Sequence, residues 1–235
     1  MQLSLRLCAI ADMVTEGNKL VDVGCDHGYL PVYLLLNKKI PSAVAVDVRK
    51  GPLSRAEEHI SQYGLEAYIE TRLSDGLSAV KLGEGDTLVI AGMGGPLMER
   101  ILTEGKEVRE TFREMILQPQ SDIPHFRHFI RKEGWEIVKE EIILEDGKFY
   151  PVMKVLPVPK EKMEPWTKEE EMFGKHLLSE PHPVLKKYLE RELRIRNEIL
   201  ERLSNVSKGT TEVRIQEVKE EKEQIEAALK RYESM

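Results

Sequence analysis

Residues 1–157 alternate between short β-rich runs and segments with helical spacing, and this alternation limits the folds open to the chain. Two of the helical segments end in a glycine, Gly64 and Gly134, as helices often do. Strands that alternate with helices form a parallel sheet covered on both faces. The β-rich runs are KLVDVG, SAVAVDV, AYIETRL, DTLVIAG and EMILQP, followed by WEIVKEEIIL and FYPVMKVLP. The last two, separated by EDGK, predict an antiparallel pair, so we expect an α/β fold with a Rossmann-like, seven-stranded, mostly parallel sheet.

A change in composition marks the end of this region. The stretch PVPKEKMEP, residues 157–165, contains three prolines and four charged residues, which is typical of a linker. We therefore predict two domains, a sheet domain over residues 1–157 and a helical domain over residues 158–235. A chain of 235 residues is long enough for one full α/β domain with such an appendage.

The second domain is charged and has helical periodicity. Thr167 and Glu170 have the spacing of a capping box, and a helix is predicted from Pro183 to Val206. The last helix places apolar residues at spacings of three and four, with Lys222 among them. Together with the polar stretch near residues 204–212, this pattern predicts an antiparallel coiled-coil hairpin. A hairpin of this kind serves RNA binding, dimerisation or spacing.

Composition and short motifs bear on the class of protein, its compartment and its metal content. The net charge of −6 gives no basic signature for nucleic acid. Cys8 and Cys25 form no CxxC motif, so we expect reduced thiols and a cytoplasmic protein. The longest apolar run, YLPVYLLL, is too short to span a membrane. His125 and His128 have a spacing that can bind zinc, but no third ligand accompanies them, so we expect no metal site.

One turn has the features of a ligand-binding loop. The stretch VDVGCDHGYLP, residues 21–31, runs from a short strand through Gly24, Asp26 and Gly28 into a new helix. Glycines at such a turn let a ligand approach the backbone closely. By itself the pattern is equally consistent with a tight strand–helix turn.

Three further strands end in residues suited to a nucleoside. Asp47 ends the second strand about twenty residues after the turn, where a carboxylate can hold two ribose hydroxyls. Asp75 and Gly76 follow the third strand, where Asp75 can accept a hydrogen bond from an adenine amino group. Gly92, in AGMGG, follows the fourth strand. Ligands of open α/β sheets bind at the carboxyl ends of strands, so these residues favour one nucleotide-type site.

The acidic residues favour a cationic ligand. A dinucleotide needs room for a pyrophosphate, and the Asp26 carboxylate would repel it, which argues against a nicotinamide enzyme. The chain also has no Walker GK[ST] loop, which argues against an ATPase. S-adenosyl-L-methionine combines adenine, free ribose hydroxyls, an ammonium and a sulfonium, and these groups suit the set of carboxylates.

Several motifs together resemble one family. The stretches LSLRLCAIADMV, VDVGCDHGYLP, AVDVRKGPL, RLSDGL, VIAGMGG, ILQPQ and EDGKFY are similar to those of the bacterial class I methyltransferases that modify N1 of adenine 22 in tRNA, the TrmK family. Cys25 stands where the family often has serine, and Gly28 where it often has alanine. His59 stands where we expect asparagine, so no ligand contact is assigned to it. The resemblance covers the whole sheet domain.

The resemblance implies a methyltransferase that uses S-adenosyl-L-methionine and acts on tRNA. Cofactor binding is assigned to strand ends and their turns. Asp26 is our candidate for steadying the positive charge formed on the target base, with His27 and Gln118 positioning it. His27 is also suited to capping the following helix, and Gln118 to capping its own loop. The cofactor residues are Asp22, Gly24, Cys25, Gly28, Asp47, Asp75, Gly76 and Gly92.

Two alternatives remain open at this point. One is a methyltransferase with another RNA acceptor, and the other is a non-catalytic RNA chaperone that binds S-adenosyl-L-methionine. The resemblance favours a tRNA-binding role for the C-terminal hairpin over a dimerisation coiled coil or a rigid spacer. The oligomeric state is left open, with a monomer preferred to a dimer.

Overall fold

The structure is a computed structural model and describes residues 1–204 and 212–232. Its strands are β1 (Leu20–Val23), β2 (Ala43–Asp47), β3 (Ile69–Leu73), β4 (Thr87–Met93), β5 (Glu114–Pro119), β6 (Trp135–Glu145) and β7 (Lys148–Pro157). They form one seven-stranded sheet in the order β3-β2-β1-β4-β5-β7-β6. The first five strands are parallel to one another, and β7 is antiparallel to β5 and β6. The Rossmann-like fold class predicted from the sequence is therefore confirmed.

The helices of the sheet region are α1 (Leu5–Met13), α2 (Tyr29–Leu36), α3 (Lys50–Gln62), α4 (Gly95–Glu104), α5 (Lys106–Arg109) and α6 (Ile123–Lys132). Side chains from α1, α2 and α3 share one apolar core with alternate strand residues such as Ala45, Val89 and Ile116. Because alternate residues of a strand point to opposite faces, these three helices cover one face of the sheet. Helices α4 and α6 contact each other and cover the opposite face.

The reversal of strand order between β1 and β4 positions the site. β1 lies in the middle of the parallel part of the sheet, between β2 and β4, with Val23 level with Val46 and Ile90. The chain from β1 turns towards β2, whereas the chain from β4 turns towards β5 on the other side. Loops that leave neighbouring strands in opposite directions open a crevice at the carboxyl ends of those strands.

The remaining helices are α7 (Lys168–Phe173), α8 (Lys175–Ser179), α9 (Pro183–Ser204) and α10 (Glu212–Lys230), preceded by a 3₁₀ turn at Lys160–Lys162. The chain divides into two compact units, Met1–Glu164 and Pro165–Met235. The predicted domain limit, after residue 157, coincides with the last residue of β7. Independent folding of the two parts stays a prediction.

Within the second unit, α9 and α10 run antiparallel. Arg196 of α9 donates to Glu221 of α10 at 2.7 Å, and the Tyr232 hydroxyl donates to the carbonyl of His182 at 3.1 Å. The capping box of Thr167 and Glu170 is present at the start of α7. The predicted turn near residues 204–212 and the predicted apolar position Val206 lie largely outside the described residues.

Candidate active site

The turn after β1 is tied to the neighbouring strand through its backbone. The amides of Gly24 and Cys25 both donate to the carbonyl of Val46, at 2.8 and 3.1 Å. Asp26 and Gly28 have positive φ angles of 48° and 67°, so the chain reverses sharply before α2 begins. A Cβ added at Gly28 would lie 3.2 Å from Ala56 Cβ, which shows that this glycine lets α3 approach the turn closely.

Two carboxylates lie just behind this turn. Asp22 is buried inside β1, and Asp47 is buried at the end of β2. Burial, with a further contribution from the Asp47 carboxylate, raises the pKa of Asp22 to about 7. Burial and the same two carboxylates raise the pKa of the Cys25 thiol far above its usual range. Cys25 is therefore a neutral thiol and not a nucleophile.

Asp47 keeps one oxygen for a ligand. The backbone amide of Arg49 donates to Asp47 Oδ1 at 2.9 Å, which fixes the carboxylate at the start of α3. Within the described part of the chain, no hydrogen bond involves its second oxygen, Oδ2. A fixed carboxylate with one open oxygen at the end of β2 is suited to accepting hydrogen bonds from ribose hydroxyls.

Asp75 and Gly76 make contacts of their own on the side of α4. Both carboxylate oxygens of Asp75 accept from Arg100, at 3.0 and 3.3 Å. Gly76 has a φ of 56°, and a Cβ there would lie 2.9 Å from Ile101 Cγ2. These contacts hold the turn after β3 against α4, and the assignment of Asp75 and Gly76 to the cofactor stays a prediction.

Gln118 joins the end of β4 to the first helix, and Gly92, expected after this strand, lies within it at the register shift between Ala91 and Met93. Its side chain is fully buried, and its Oε1 accepts from Arg6 Nη1 at 3.1 Å and from the Gly92 amide at 3.0 Å. Its Nε2 donates to the Pro119 carbonyl at 3.1 Å. Gly92 has a φ of 77°, and a Cβ there would lie 3.2 Å from Arg6 Nη1. The structure therefore gives Gln118 and Gly92 a role in shaping the end of β4 beside Arg6.

A cavity of about 360 Å³ opens between the turn after β1 and the N-terminal segment. This volume lies in the range of small-molecule sites. The cavity brings together predicted site residues with others from α1 and α2. Its lining consists of Gln2, Leu3, Ser4, Arg6, Leu7, Asp22, Gly24, Cys25, Asp26, Tyr29, Leu30 and Ala91.

Some predicted residues lie outside this lining. Asp47 is the last residue of β2, and Asp75 comes two residues after β3. His27 is half-buried, its Nε2 is 3.7 Å from Asp26 Oδ2, and its ring stacks on that of Tyr29. The site is thus a cavity with a row of carboxylates along neighbouring strand ends. Among the residues described, no group of three or more side chains could hold a metal ion.

Comparison with known proteins identifies the family of the chain. A family model described as a methyltransferase domain matches residues 3–153. The tRNA (adenine(22)-N(1))-methyltransferase of Bacillus subtilis is 39% identical over 153 residues, which span 65% of this chain and 64% of that protein. The crystal structure of the B. subtilis m1A22 tRNA methyltransferase TrmK superposes with a TM-score of 0.88 at 31% identity, covering 97% of this chain and 99% of that one.

The chain belongs to the TrmK family of class I methyltransferases. A Streptococcus pneumoniae protein crystallised with S-adenosyl-L-methionine is 31% identical, with a TM-score of 0.87 over 97% of this chain and all of that one. The recognition made from the sequence motifs is therefore confirmed.

The TrmK-family site contains two features that the sequence analysis did not assign. Tyr29, in the first turn of α2, lines the cavity, and its position directly after the glycine turn was a usable signal. The Met93 side chain lies over Gly24, where its terminal methyl occupies the space a Cβ would take. Met93 therefore shields the backbone of the turn. The contact could not be predicted from the sequence, because Met93 belongs to β4 and Gly24 follows β1. None of the described helices is long and apolar enough to cross a membrane.

Proposed function

We propose that this protein transfers a methyl group from S-adenosyl-L-methionine to N1 of adenine 22 in tRNA. The observation that carries the proposal is a set of three carboxylates, Asp22 in β1, Asp26 in the turn after it and Asp47 at the end of β2, beside a cavity of about 360 Å³. A ligand with an ammonium, a sulfonium and two ribose hydroxyls matches that set in charge and in hydrogen bonding. The likeness to TrmK over nearly the whole chain supports the choice of acceptor.

The chain's residues fit this cofactor by their chemistry. Asp47 Oδ2 is open to the ribose hydroxyls, and Asp22 gains a favourable partner when a cation binds nearby. S-adenosyl-L-methionine would supply an electrophilic methyl group on a positively charged sulfur. Arg6, which lines the same cavity, offers a cation to the carboxylate end of an amino acid.

The reaction needs alignment more than it needs a base. Neutral adenine N1 already has a lone pair, so no proton leaves before the new N–C bond forms and the S–C bond breaks. The positive charge then moves from sulfur to the adenine ring. Asp26 lies at the cavity with a side chain 64% exposed, where its carboxylate can stabilise that ring charge. Most of the acceleration would come from proximity and orientation.

His27 and Gln118 act in this proposal as positioning residues. His27 stacks on Tyr29 beside the cavity and lies next to Asp26 in the chain. Gln118 is buried and holds the Gly92 amide and Arg6, so it would position the loop and not read a base edge. The buried position of Gln118 supports its loop-capping role among the two alternatives that the sequence left open.

The helical unit is proposed to contribute tRNA contacts. Its basic and acidic side chains are nearly equal in number, and the adjacent Lys186 and Lys187 lie on an exposed part of α9, where they can contact phosphate. Phosphate contacts of this kind release counterions, so binding of tRNA should weaken steeply with salt. We propose that the enzyme is cytoplasmic, because the cytoplasm is the compartment in which its tRNA substrate is found. We prefer a monomer to a dimer.

The test is incubation with labelled S-adenosyl-L-methionine and bulk bacterial tRNA, followed by digestion and nucleoside analysis. The proposal expects the label in 1-methyladenosine. Label in another nucleoside would favour the methyltransferase with another acceptor. Binding of both ligands without transfer of label would favour the non-catalytic chaperone.

A further inference from the structure

Four aromatic side chains form a continuous strip beside the cofactor turn. The rings of His27 and Tyr29 stack with centroids 5.3 Å apart and planes 16° apart. Tyr29 meets His59 edge-to-face at 4.8 Å, and His59 meets Tyr63 edge-to-face at 5.2 Å. We call His27, Tyr29, His59 and Tyr63 the aromatic strip. It connects the turn after β1 with the C-terminal end of α3.

The strip is anchored at one end and open to solvent along its length. His59 Nδ1 lies 3.2 Å from the carbonyl of His27, which ties α3 to the cofactor turn. Tyr29 lines the cavity and is nevertheless 42% exposed, and Tyr63 is 38% exposed. Neighbouring aromatic rings that stay in contact with water, at the mouth of a site, are characteristic of surfaces that bind another molecule.

Basic residues accompany the strip on α3. Arg49, Lys50 and Arg55 are exposed, and no ion pair involves them within residues 1–204 and 212–232. Arg55 lies one helical turn before His59, so their side chains share a face of α3. Of the acidic residues on the same helix, Glu57 is held by the Thr71 hydroxyl at 2.9 Å and Glu58 is exposed. Aromatic rings combined with cations that lack partners match the two components of an RNA strand, bases and phosphates.

The position of the target atom, N1 of adenine, explains why such a surface would be needed. N1 of adenine lies on the edge used for base pairing, so a methyltransferase must reach it in an opened and unstacked nucleotide. Unstacking costs free energy, which protein aromatic rings can return by stacking on the bases that lose their neighbours. A strip that begins at the cavity is placed to do this for the nucleotides next to the target.

We propose that the aromatic strip binds unstacked nucleotides that flank the target adenine, with Arg55 contacting their phosphates. This inference rests on the proposed function, because it takes tRNA as the substrate. It adds a binding surface on the sheet unit to the contacts proposed for the helical unit. His59 thereby gains a role in this chain, where the family pattern led us to expect asparagine.

Tyr63→Ala tests the strip without touching the cofactor turn. The matched control is Tyr68→Ala, since Tyr68 is 54% exposed but precedes β3 at the amino ends of the strands. Both full-length variants are compared with the wild type for kcat and KM on an unmodified tRNA transcript, and for S-adenosyl-L-methionine affinity by calorimetry. Circular dichroism checks that each variant is folded. Tyr63→Trp serves as the rescuing variant, because tryptophan keeps a stacking face.

The inference expects the tRNA KM of Tyr63→Ala to rise about fivefold or more, the lower range for loss of one base–aromatic stack. The kcat at saturating tRNA and the cofactor affinity should match the wild type, and Tyr63→Trp should restore KM. A KM for Tyr63→Ala equal to that of Tyr68→Ala would overturn the inference and leave the proposed function standing. A wild-type protein that methylates no tRNA would instead refute the proposed function, and the strip would lose its RNA role with it.

Discussion

Asp22→Asn tests the electrostatics at the centre of the site. Asp22 is 5% exposed in β1, and burial together with Asp47 raises its pKa from 3.8 to about 7. A carboxyl group with a raised pKa in the folded state holds its proton more tightly there than in the unfolded chain. The free energy of unfolding therefore falls as the pH rises from about 4 to about 7, where this carboxyl ionises. The change from 3.8 to about 7 corresponds to about 4 kcal/mol once the group is fully ionised.

The assay is urea unfolding of the wild type and Asp22→Asn across pH values from about 5 to about 8. Asparagine has no charge to bury. The free energy of unfolding of the variant, relative to that of the wild type, should therefore rise by roughly 2–3 kcal/mol between about pH 5 and about pH 8. Asp12→Asn is the matched control, because Asp12 is an exposed carboxylate on α1. If the two proteins instead differ in free energy of unfolding by the same amount at both ends of the pH range, that result would refute the argument that ionised Asp22 is unfavourable in the folded protein.

Three further predictions concern the cofactor and the domains. Asp47→Ala should weaken S-adenosyl-L-methionine binding by about 2–4 kcal/mol, at least thirtyfold by calorimetry, while Asp12→Ala should leave it unchanged. Gly24→Val should lower the free energy of unfolding by about 1–3 kcal/mol and abolish cofactor binding, because Gly24 has a φ of 76° and Met93 occupies the space a side chain would need. A variant with normal cofactor affinity would exclude this turn as the cofactor loop. A chain of residues 1–164 should fold and bind the cofactor normally but lose tRNA methylation, and full activity would argue for a dimerisation or spacer role of the helices.

The sheet and the strand-end residues could be predicted because their signals are local. Each buried strand is a short apolar run; Gly24 follows one such run and Asp47 ends the next, so the periodicity places them at the same edge of the sheet. The antiparallel hairpin of β6 and β7 was likewise marked by EDGK between two β-rich runs. These parts of the fold depend on neighbouring residues in the sequence.

The side-chain partners within the site could not be predicted, because they join distant segments. Arg6 and Gln118 are separated by 112 positions, and Asp75 pairs with an arginine 25 positions later. The placement of Met93 over Gly24 likewise depends on how β4 lies beside β1. Sequence patterns identify which residues reach the site, whereas packing decides which of their atoms are already engaged.

The most direct measurement uses two tRNA transcripts that differ only at nucleotide 22, one with adenine and one with guanine. Each is incubated with the protein and labelled S-adenosyl-L-methionine, and the modified position is mapped by the block that a methyl group on N1 imposes on reverse transcription. The account predicts label and a block at position 22 in the adenine transcript and neither in the guanine transcript. Equal labelling of both transcripts, or a block at another position, would contradict it.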